Sequence, residues 1–118
     1  MAMEFFNRFS KKNHAFSAGT VVGDTEGKNL DEKVMNGMAE LGYDLSKNTR
    51  KQLTLQMVEE ADKIFVMAQK ETIPDYLKNS KKTVYWNVPD GKGQPYYFVC
   101  KMRDQIKDLV EELVKEIG

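Results

Sequence analysis

The sequence predicts an α/β domain with a short parallel sheet. Short, continuous apolar segments alternate with amphipathic helical segments along the chain, and this alternation is typical of helices packed on parallel strands. The clearest strand covers 63–68, which reads KIFVMA and is apolar almost throughout, as in strands covered on both faces. The length of 118 residues predicts a single domain over 1–118, because a chain of this size closes one hydrophobic core.

The first half of the chain predicts two helices separated by a strand. A helix over 1–12 is indicated by apolar residues at helical spacing, namely Met3, Phe6 and Phe9. Residues 14–20 predict a strand that enters a turn, and the polar, glycine-bearing stretch after them predicts a loop. We expect Asn29 to cap the second helix and Gly42 to end it.

The second half alternates short elements before one long helix. A threonine cap predicts a helix over 54–61, which precedes the strand at 63–68. A short helix over 73–77, a strand over 83–86 and a loop over 87–94 follow. A long amphipathic helix closes the chain, and its apolar face carries Val99, Met102, Ile106, Leu109, Val110, Leu113 and Ile117.

Charge and cysteine content exclude several functional classes. Eighteen basic residues balance eighteen acidic ones, so the sequence predicts no general attraction to nucleic acid or to anionic membranes. No apolar run approaches transmembrane length. The single cysteine, Cys100, excludes a disulfide framework and a cysteine-rich zinc site, and it favours the cytoplasm. His14 is the only histidine, so we expect neither a metal site nor a cofactor.

Six short stretches carry a resemblance to a known family. They are MAMEFFN at 1–7, SAGT at 17–20, MAELGYDLS at 38–46, EADKIFVM at 60–67, WNVPD at 86–90 and RDQI at 103–106. In this order and spacing they resemble segments of the low-molecular-weight protein tyrosine phosphatases, the family that also contains thioredoxin-linked arsenate reductases. The resemblance covers essentially the whole chain, and it implies a three-layer αβα fold whose parallel strands are ordered 2-1-3-4.

The resemblance also implies that the family's catalytic loop is missing from this sequence. The family cleaves phosphate monoesters through a cysteinyl-phosphate, formed on a Cys-x5-Arg loop whose backbone amides and arginine hold the phosphate. That loop and the first strand would lie directly before Met1, so we expect an N-terminally truncated domain without a nucleophile. Cys100 does not replace it, because the residue six positions later is Ile106. We interpret Cys100 as a structural cysteine.

Asp90 and Ser17 are the first candidate site residues that the resemblance implies. In the family, an aspartate on the loop matched by 86–90 protonates the leaving oxygen. Asp90 is expected as a vestigial general acid, although the family's usual Asp-Pro is Asp90-Gly91 here; the alternative is an Asp-Gly turn. Ser17 matches a serine that orders the phosphate loop, and the alternative is a serine that closes a turn before Gly19.

Asn48, Tyr96 and Tyr97 are the candidate substrate-binding residues. Asn48 lies in the loop at 46–52 that rims the family's substrate cleft, at a position where the family often has a histidine. The alternative for this loop is a solvated polar segment. Tyr96 and Tyr97 follow the acid loop, where aromatic residues flank a phosphotyrosine ring in active relatives; the alternative is that they pack the final helix.

The leading functional prediction is a phosphatase-like domain that is catalytically inactive as this chain, either a binding or assembly module or a truncated form. A rival is an active phosphotyrosine or phosphoarginine phosphatase completed by residues absent from this chain. A third alternative is an arsenate-reductase-like protein. Its thiol relay needs further cysteines, and the matching neighbourhoods hold Ala68 and Ile73 instead.

The expected partner is a phosphorylated protein or a small phosphate ligand. A second copy of the chain is also expected, because loss of an interior strand leaves the backbone groups of two neighbouring strands unpaired. A homo-oligomer would complete the sheet, and sideways closure of the two strands is the alternative. No binding to nucleic acid or to membranes is expected.

Overall fold

The computed structural model describes residues 1–68, 70–89 and 93–118. Its helices and strands, in chain order, are α1 (Ala2–Phe9), α2 (Glu32–Ala39), α3 (Leu55–Glu60), β1 (Ile64–Val66), α4 (Asp75–Lys78), β2 (Thr83–Tyr85) and α5 (Tyr96–Ile117). Two short 3₁₀ helices lie at Gly23–Thr25 and Lys70–Thr72. The chain divides into two compact units. That they make up one domain stays a prediction.

The helical unit comprises Met1–Ser17, Asn29–Asn48 and Gly91–Gly118. Within it, α1 and α2 both pack against α5. Phe5 is fully buried and meets Tyr43 edge to face, with 5.2 Å between the ring centroids, an arrangement that suits the aromatic quadrupoles. The buried apolar side chains of this unit are Phe5, Phe6, Met38, Tyr43, Leu45, Val99, Ile106, Val110 and Leu113.

The sheet unit comprises Ala18–Lys28 and Thr49–Asp90. In it β1 and β2 run parallel, with Ile64 opposite Thr83, and α4 lies in the connection that parallel strands require. A small core forms from Val58, Val66, Ile73 and Leu77. The predicted α/β class with a short parallel sheet is therefore confirmed.

The longest described helix, α5, has 22 residues and follows Pro95, a residue that suits the start of a helix. Its buried residues are Val99, Arg103, Ile106, Val110 and Leu113. A charged residue thus occupies the otherwise apolar stripe of this helix. Among the described residues, no helix combines the length and the apolarity that crossing a membrane requires.

Most of the predicted helices and strands are confirmed, and most of them cover fewer residues than the sequence predicted. The predicted cap of α3 is confirmed, because the Thr54 side chain accepts a hydrogen bond from the Met57 amide at 3.2 Å. Gly42 also has its predicted role after α2. It adopts a φ of +85°, and the Tyr43 amide donates to the Met38 carbonyl at 3.0 Å. This is the hydrogen bond of a Schellman cap, which favours glycine.

The predicted strand over 14–20 is wrong. The Asn7 side chain donates to the Ala15 carbonyl at 2.9 Å and accepts from the Ala15 amide at 2.7 Å. A side chain from α1 therefore satisfies the backbone groups that a sheet ladder would have used. Further along this segment, Gly19 forms only an isolated bridge with Gln52.

The predicted cap of the second helix is also wrong. Asp31, and not Asn29, is the N-cap of α2, and its Oδ1 accepts from the Lys33 amide at 2.8 Å. Both residue types favour this position, so the sequence alone did not distinguish them.

Candidate functional site

A polar cluster joins the end of α2 to the first half of α5. The Glu40 carboxylate accepts from the Arg103 guanidinium at 2.8 Å and from the Cys100 thiol at 3.5 Å. Arg103 also donates to the Gly37 carbonyl at 2.8 Å and to the Asp104 carboxylate at 2.9 Å. We call these residues, together with Tyr96, the Glu40 cluster. The buried guanidinium therefore has two acceptors at the end of α2, Gly37 and Glu40, and one on α5, its neighbour Asp104, as a buried charge requires.

Hydrogen bonds in the Glu40 cluster stabilise the charged forms of Glu40 and Arg103. The hydrogen bond from Arg103, followed by those from Tyr96 and Cys100, holds the pKa of Glu40 below its usual value. The hydrogen bond to Asp104 raises the pKa of Arg103. Both partners are therefore ionised at neutral pH. Cys100 donates its thiol hydrogen to a carboxylate, which is the arrangement of a structural cysteine and not of a thiolate held by backbone amides.

The adjacent tyrosines Tyr96 and Tyr97 have different environments. Burial, together with hydrogen bonds to Cys100 and Glu40, raises the pKa of Tyr96 to about 12. Tyr97 is 65 % exposed, against 36 % for Tyr96. The Lys101 ammonium lies 5.8 Å from the centroid of the Tyr97 ring. Both tyrosines are therefore exposed, and the Tyr97 ring faces solvent more fully than the Tyr96 ring.

Asn48 lies in a cleft beside α1. The cleft has a volume of about 400 Å³ and is lined by Met3, Glu4, Asn7, Arg8, Tyr43, Asp44, Leu45 and Asn48. The Arg8 guanidinium stacks 3.7 Å from the centroid of the Tyr43 ring and donates to the Gly42 carbonyl at 3.3 Å. One wall of the cleft is therefore a fixed cation above an aromatic ring.

This cleft carries charges of both signs. The Oε2 atom of Glu4 is buried and has no hydrogen-bond partner among the described residues. Hydrogen bonds from Ser46 lower the pKa of Asp44, and the Ser46 amide donates to its Oδ1 at 2.9 Å. Because two carboxylates accompany Arg8, net charge alone does not make the cleft attractive to a phosphate dianion.

The two remaining predicted site residues stay predictions. Asp90, expected as a vestigial general acid, lies outside the described residues. Ser17 is exposed at the end of the first segment of the helical unit.

His14 is exposed as well, and the described residues hold no group of three or more His, Cys, Asp or Glu side chains that could bind a metal ion.

Sequence reasoning missed the ion pair between Glu40 and Arg103. The signal for Arg103 was present, because it lies four residues after Val99 and three before Ile106, within the apolar stripe of α5. A charged residue at such a position needs a buried partner. No sequence signal identified Glu40 as that partner, since the two helices meet only in the folded unit.

Comparison with known proteins identifies the fold. No protein-family model matches the chain. An arsenate reductase 2 of Staphylococcus epidermidis is 24% identical over 90 residues, which cover 75% of this chain and 69% of the relative. Among solved structures, the Vibrio vulnificus Wzb in complex with benzylphosphonate has a TM-score of 0.83 and 18% identity, over 98% of this chain and 88% of that one. The low-molecular-weight protein tyrosine phosphatase from T. tengcongensis has a TM-score of 0.81 and 23% identity, with 98% and 88% coverage.

These likenesses confirm the predicted fold. The chain has the αβα fold of the low-molecular-weight tyrosine phosphatases, and its neighbours come from the family that the sequence resembles. Function depends on the residues placed on a fold and not on the fold itself.

Proposed function

We propose that these 118 residues form a low-molecular-weight phosphatase-type scaffold that binds a phosphorylated protein or a small phosphate ligand without hydrolysing it. The position of the only thiol carries the proposal. Cys100 lies on α5, 3.5 Å from the Glu40 carboxylate, and Ile106 stands where a Cys-x5-Arg loop needs its arginine. A cysteinyl-phosphate mechanism requires a thiolate in such a loop, and these residues contain no other cysteine.

Recognition in this proposal uses the residues that the resemblance implied. Asn48 and the aromatic pair Tyr96 and Tyr97 border the ligand, Ser17 lies near the phosphate, and Asp90 is a relic of the general acid. The exposed Tyr97 ring with Lys101 5.8 Å away supports the aromatic part, because a ring and a cation suit an aromatic phosphate.

Benzylphosphonate, which the Vibrio vulnificus Wzb structure contains, is a suitable probe because its phosphonate is not hydrolysed. Amide chemical shifts of the ¹⁵N-labelled chain are followed by NMR during a titration, with benzyl alcohol as the matched compound that lacks the anion. We expect saturable shifts around Asn48 and Tyr97 with benzylphosphonate and none with benzyl alcohol. Identical responses to the two compounds would contradict phosphate recognition.

The proposal includes a homo-oligomer formed at the sheet and a cytoplasmic location. The described sheet has two strands, and two-stranded sheets are marginal without further pairing. Val84 and Tyr85 of β2 are both exposed, and an apolar, exposed strand favours association.

A single thiol in 118 residues suits a reducing compartment.

A second candidate is an active phosphatase for phosphotyrosine or phosphoarginine, completed by residues outside these 118. The tyrosine phosphatases among the structural neighbours favour it. The DNA directly upstream of the Met1 codon discriminates between the two candidates. An in-frame Cys-x5-Arg-Ser sequence there favours the enzyme, and its absence favours the binding module.

Arsenate reduction is the third candidate, favoured by the relative in Staphylococcus epidermidis. Transfer of a disulfide to thioredoxin needs at least a second thiol, and Cys100 is the only one in these residues. We expect no arsenate-dependent consumption of reduced thioredoxin. Consumption of thioredoxin that depends on arsenate and on Cys100 would favour the reductase.

A further inference from the structure

The Asn7 side chain makes the hydrogen bonds of a neighbouring strand with Ala15. Its Nδ2 atom donates to the Ala15 carbonyl at 2.9 Å, and its Oδ1 atom accepts from the Ala15 amide at 2.7 Å. In an antiparallel sheet, two facing residues exchange the same pair of backbone hydrogen bonds. One carboxamide therefore occupies the place that a residue of a second strand would take.

This contact alone ties the segment 14–17 to the rest of the helical unit by hydrogen bonds. Within the described part of the chain, residues 14–17 make no hydrogen bond other than the two between Asn7 and Ala15. Ala15 is half-buried, whereas the other three residues are exposed, and the Phe16 side chain is 52 % exposed. Loss of the Asn7 carboxamide would therefore release the segment and leave both backbone groups of Ala15 without a partner.

The released segment suits pairing with the same segment of a second copy. A two-fold axis can place Ala15 of one copy opposite Ala15 of the other, so that each residue donates to and accepts from its counterpart. In this antiparallel register, Lys12 of one copy faces Ala18 of the other, so the lysines before the segment do not oppose each other. The aromatic Phe16 in the middle of the segment favours a strand.

We propose that the Asn7 side chain is an autoinhibitory contact, which keeps the segment 14–17 from pairing with the same segment of a second copy of the chain. Unpaired strand edges favour association between chains, and a side chain that takes the hydrogen bonds of such an edge opposes it. This inference goes beyond the proposed function, because the oligomer proposed there forms at β2 in the sheet unit. The segment 14–17 lies in the helical unit.

Hydrogen exchange of the Ala15 amide tests the contact in the unmodified chain. Followed by NMR, this amide is expected to exchange about tenfold more slowly than the amide of Phe16, because only the Ala15 amide donates to Asn7. Exchange of the Ala15 amide at the rate of an unstructured peptide would show that the contact does not hold the segment, and it would overturn the proposal without any variant.

Release of the segment is tested with Asn7→Leu, which removes the carboxamide and preserves α1 because leucine favours helices. The substitution is made in a Val84→Lys chain, so that the oligomer proposed at β2 does not mask a new one. Asn36→Leu in the same chain is the matched control, since Asn36 is exposed on α2 and the substitution adds the same apolar group. By sedimentation velocity, we expect Asn7→Leu to self-associate about tenfold more tightly than Asn36→Leu.

Ala15→Pro locates the new contact, because proline has no amide hydrogen to donate to a neighbouring strand. Added to Asn7→Leu, it should return self-association to the level of the Asn36→Leu control. Far-UV circular dichroism verifies that each variant is folded, and Asn7→Ala with Asn36→Ala replaces the leucine pair if leucine at position 7 unfolds the chain. A folded Asn7 variant that associates no more tightly than its Asn36 control overturns the proposal, as does association that persists with Ala15→Pro.

Discussion

The Arg103 guanidinium donates to the Glu40 carboxylate over 2.8 Å, although Arg103 lies in the buried stripe of α5. The carboxylate comes from the residue that follows α2, so this ion pair ties two helices together. Gly37 and Asp104 accept further hydrogen bonds from the same guanidinium. A buried charge that is satisfied in this way is costly to disturb, because removal of one partner leaves the others unpaired.

Arg103→Met removes the guanidinium and keeps most of the apolar length of the side chain. We expect the free energy of unfolding to fall by about 1–3 kcal/mol, since the Gly37 carbonyl loses its donor in a buried position. Urea denaturation followed by circular dichroism measures this change. Lys107→Met is the control, because its ion pair with Glu111 is long, at 3.8 Å, and half-exposed, and we expect less than about 0.5 kcal/mol. Equal free energies of unfolding for the two variants would show that the Arg103 guanidinium makes no net contribution to stability.

The contribution of Glu40 to stability depends on pH. Its pKa in the folded state lies below the usual value of 4.5, chiefly through Arg103. The stabilisation is therefore fully present above pH 4.5 and is lost as the pH falls through the lower, folded pKa. The stability difference between the unmodified chain and Glu40→Gln should be larger at pH 7 than at pH 3. A difference that stays constant over this range would mean that the charge of Glu40 does not contribute.

Replacement of Gly42 and of Gly37 by alanine should change the stability of the fold in opposite directions. Gly42 has a φ of +85°, so Gly42→Ala should destabilise the fold by about 1 kcal/mol. Gly37 lies inside α2, and an added Cβ would meet the Cys100 sulfur at 4.0 Å, an ordinary contact. Gly37→Ala should therefore stabilise the fold by about 0.5–1 kcal/mol. Thermal unfolding of both variants measures the changes, and a shift of the same sign in both would refute the assignment of their backbone conformations.

The sequence predicted correctly those features that depend on interactions between residues close together in the chain. Gly42 and Thr54 were identified because helix caps depend on residues close in sequence. The segment at 14–20 was predicted wrongly because the Asn7 side chain, from a different element, takes the backbone hydrogen bonds of Ala15. Contacts of this kind leave no periodic pattern in the sequence.

In the candidate site, too, the sequence predicted neighbouring residues but not the contacts between distant ones. The resemblance identified Tyr96 and Tyr97 together, as neighbours in one motif. Tyr96 is 36 % exposed and Tyr97 is 65 % exposed, and such a difference depends on how α5 packs against elements that are distant in sequence, such as α2. The sequence could therefore predict the aromatic pair but not which of the two rings is more exposed.

Self-association at the sheet is tested by light scattering. We expect the chain to form an oligomer at micromolar concentration, and Val84→Lys on β2 to shift it towards the monomer, because a charge on an exposed strand opposes pairing. Leu55→Lys is the control, since Leu55 is also exposed but lies on α3. A monomer at all concentrations, with the unmodified sequence, would refute the oligomer.

Hydrolysis of p-nitrophenyl phosphate tests the central claim most directly. The purified 118 residues are assayed beside their Cys100→Ser variant and an active low-molecular-weight phosphatase. The account predicts no release of nitrophenolate above the buffer blank from either form, because Cys100 donates to Glu40 and is not held in a phosphate loop. Turnover by the unmodified chain that Cys100→Ser abolishes would contradict it.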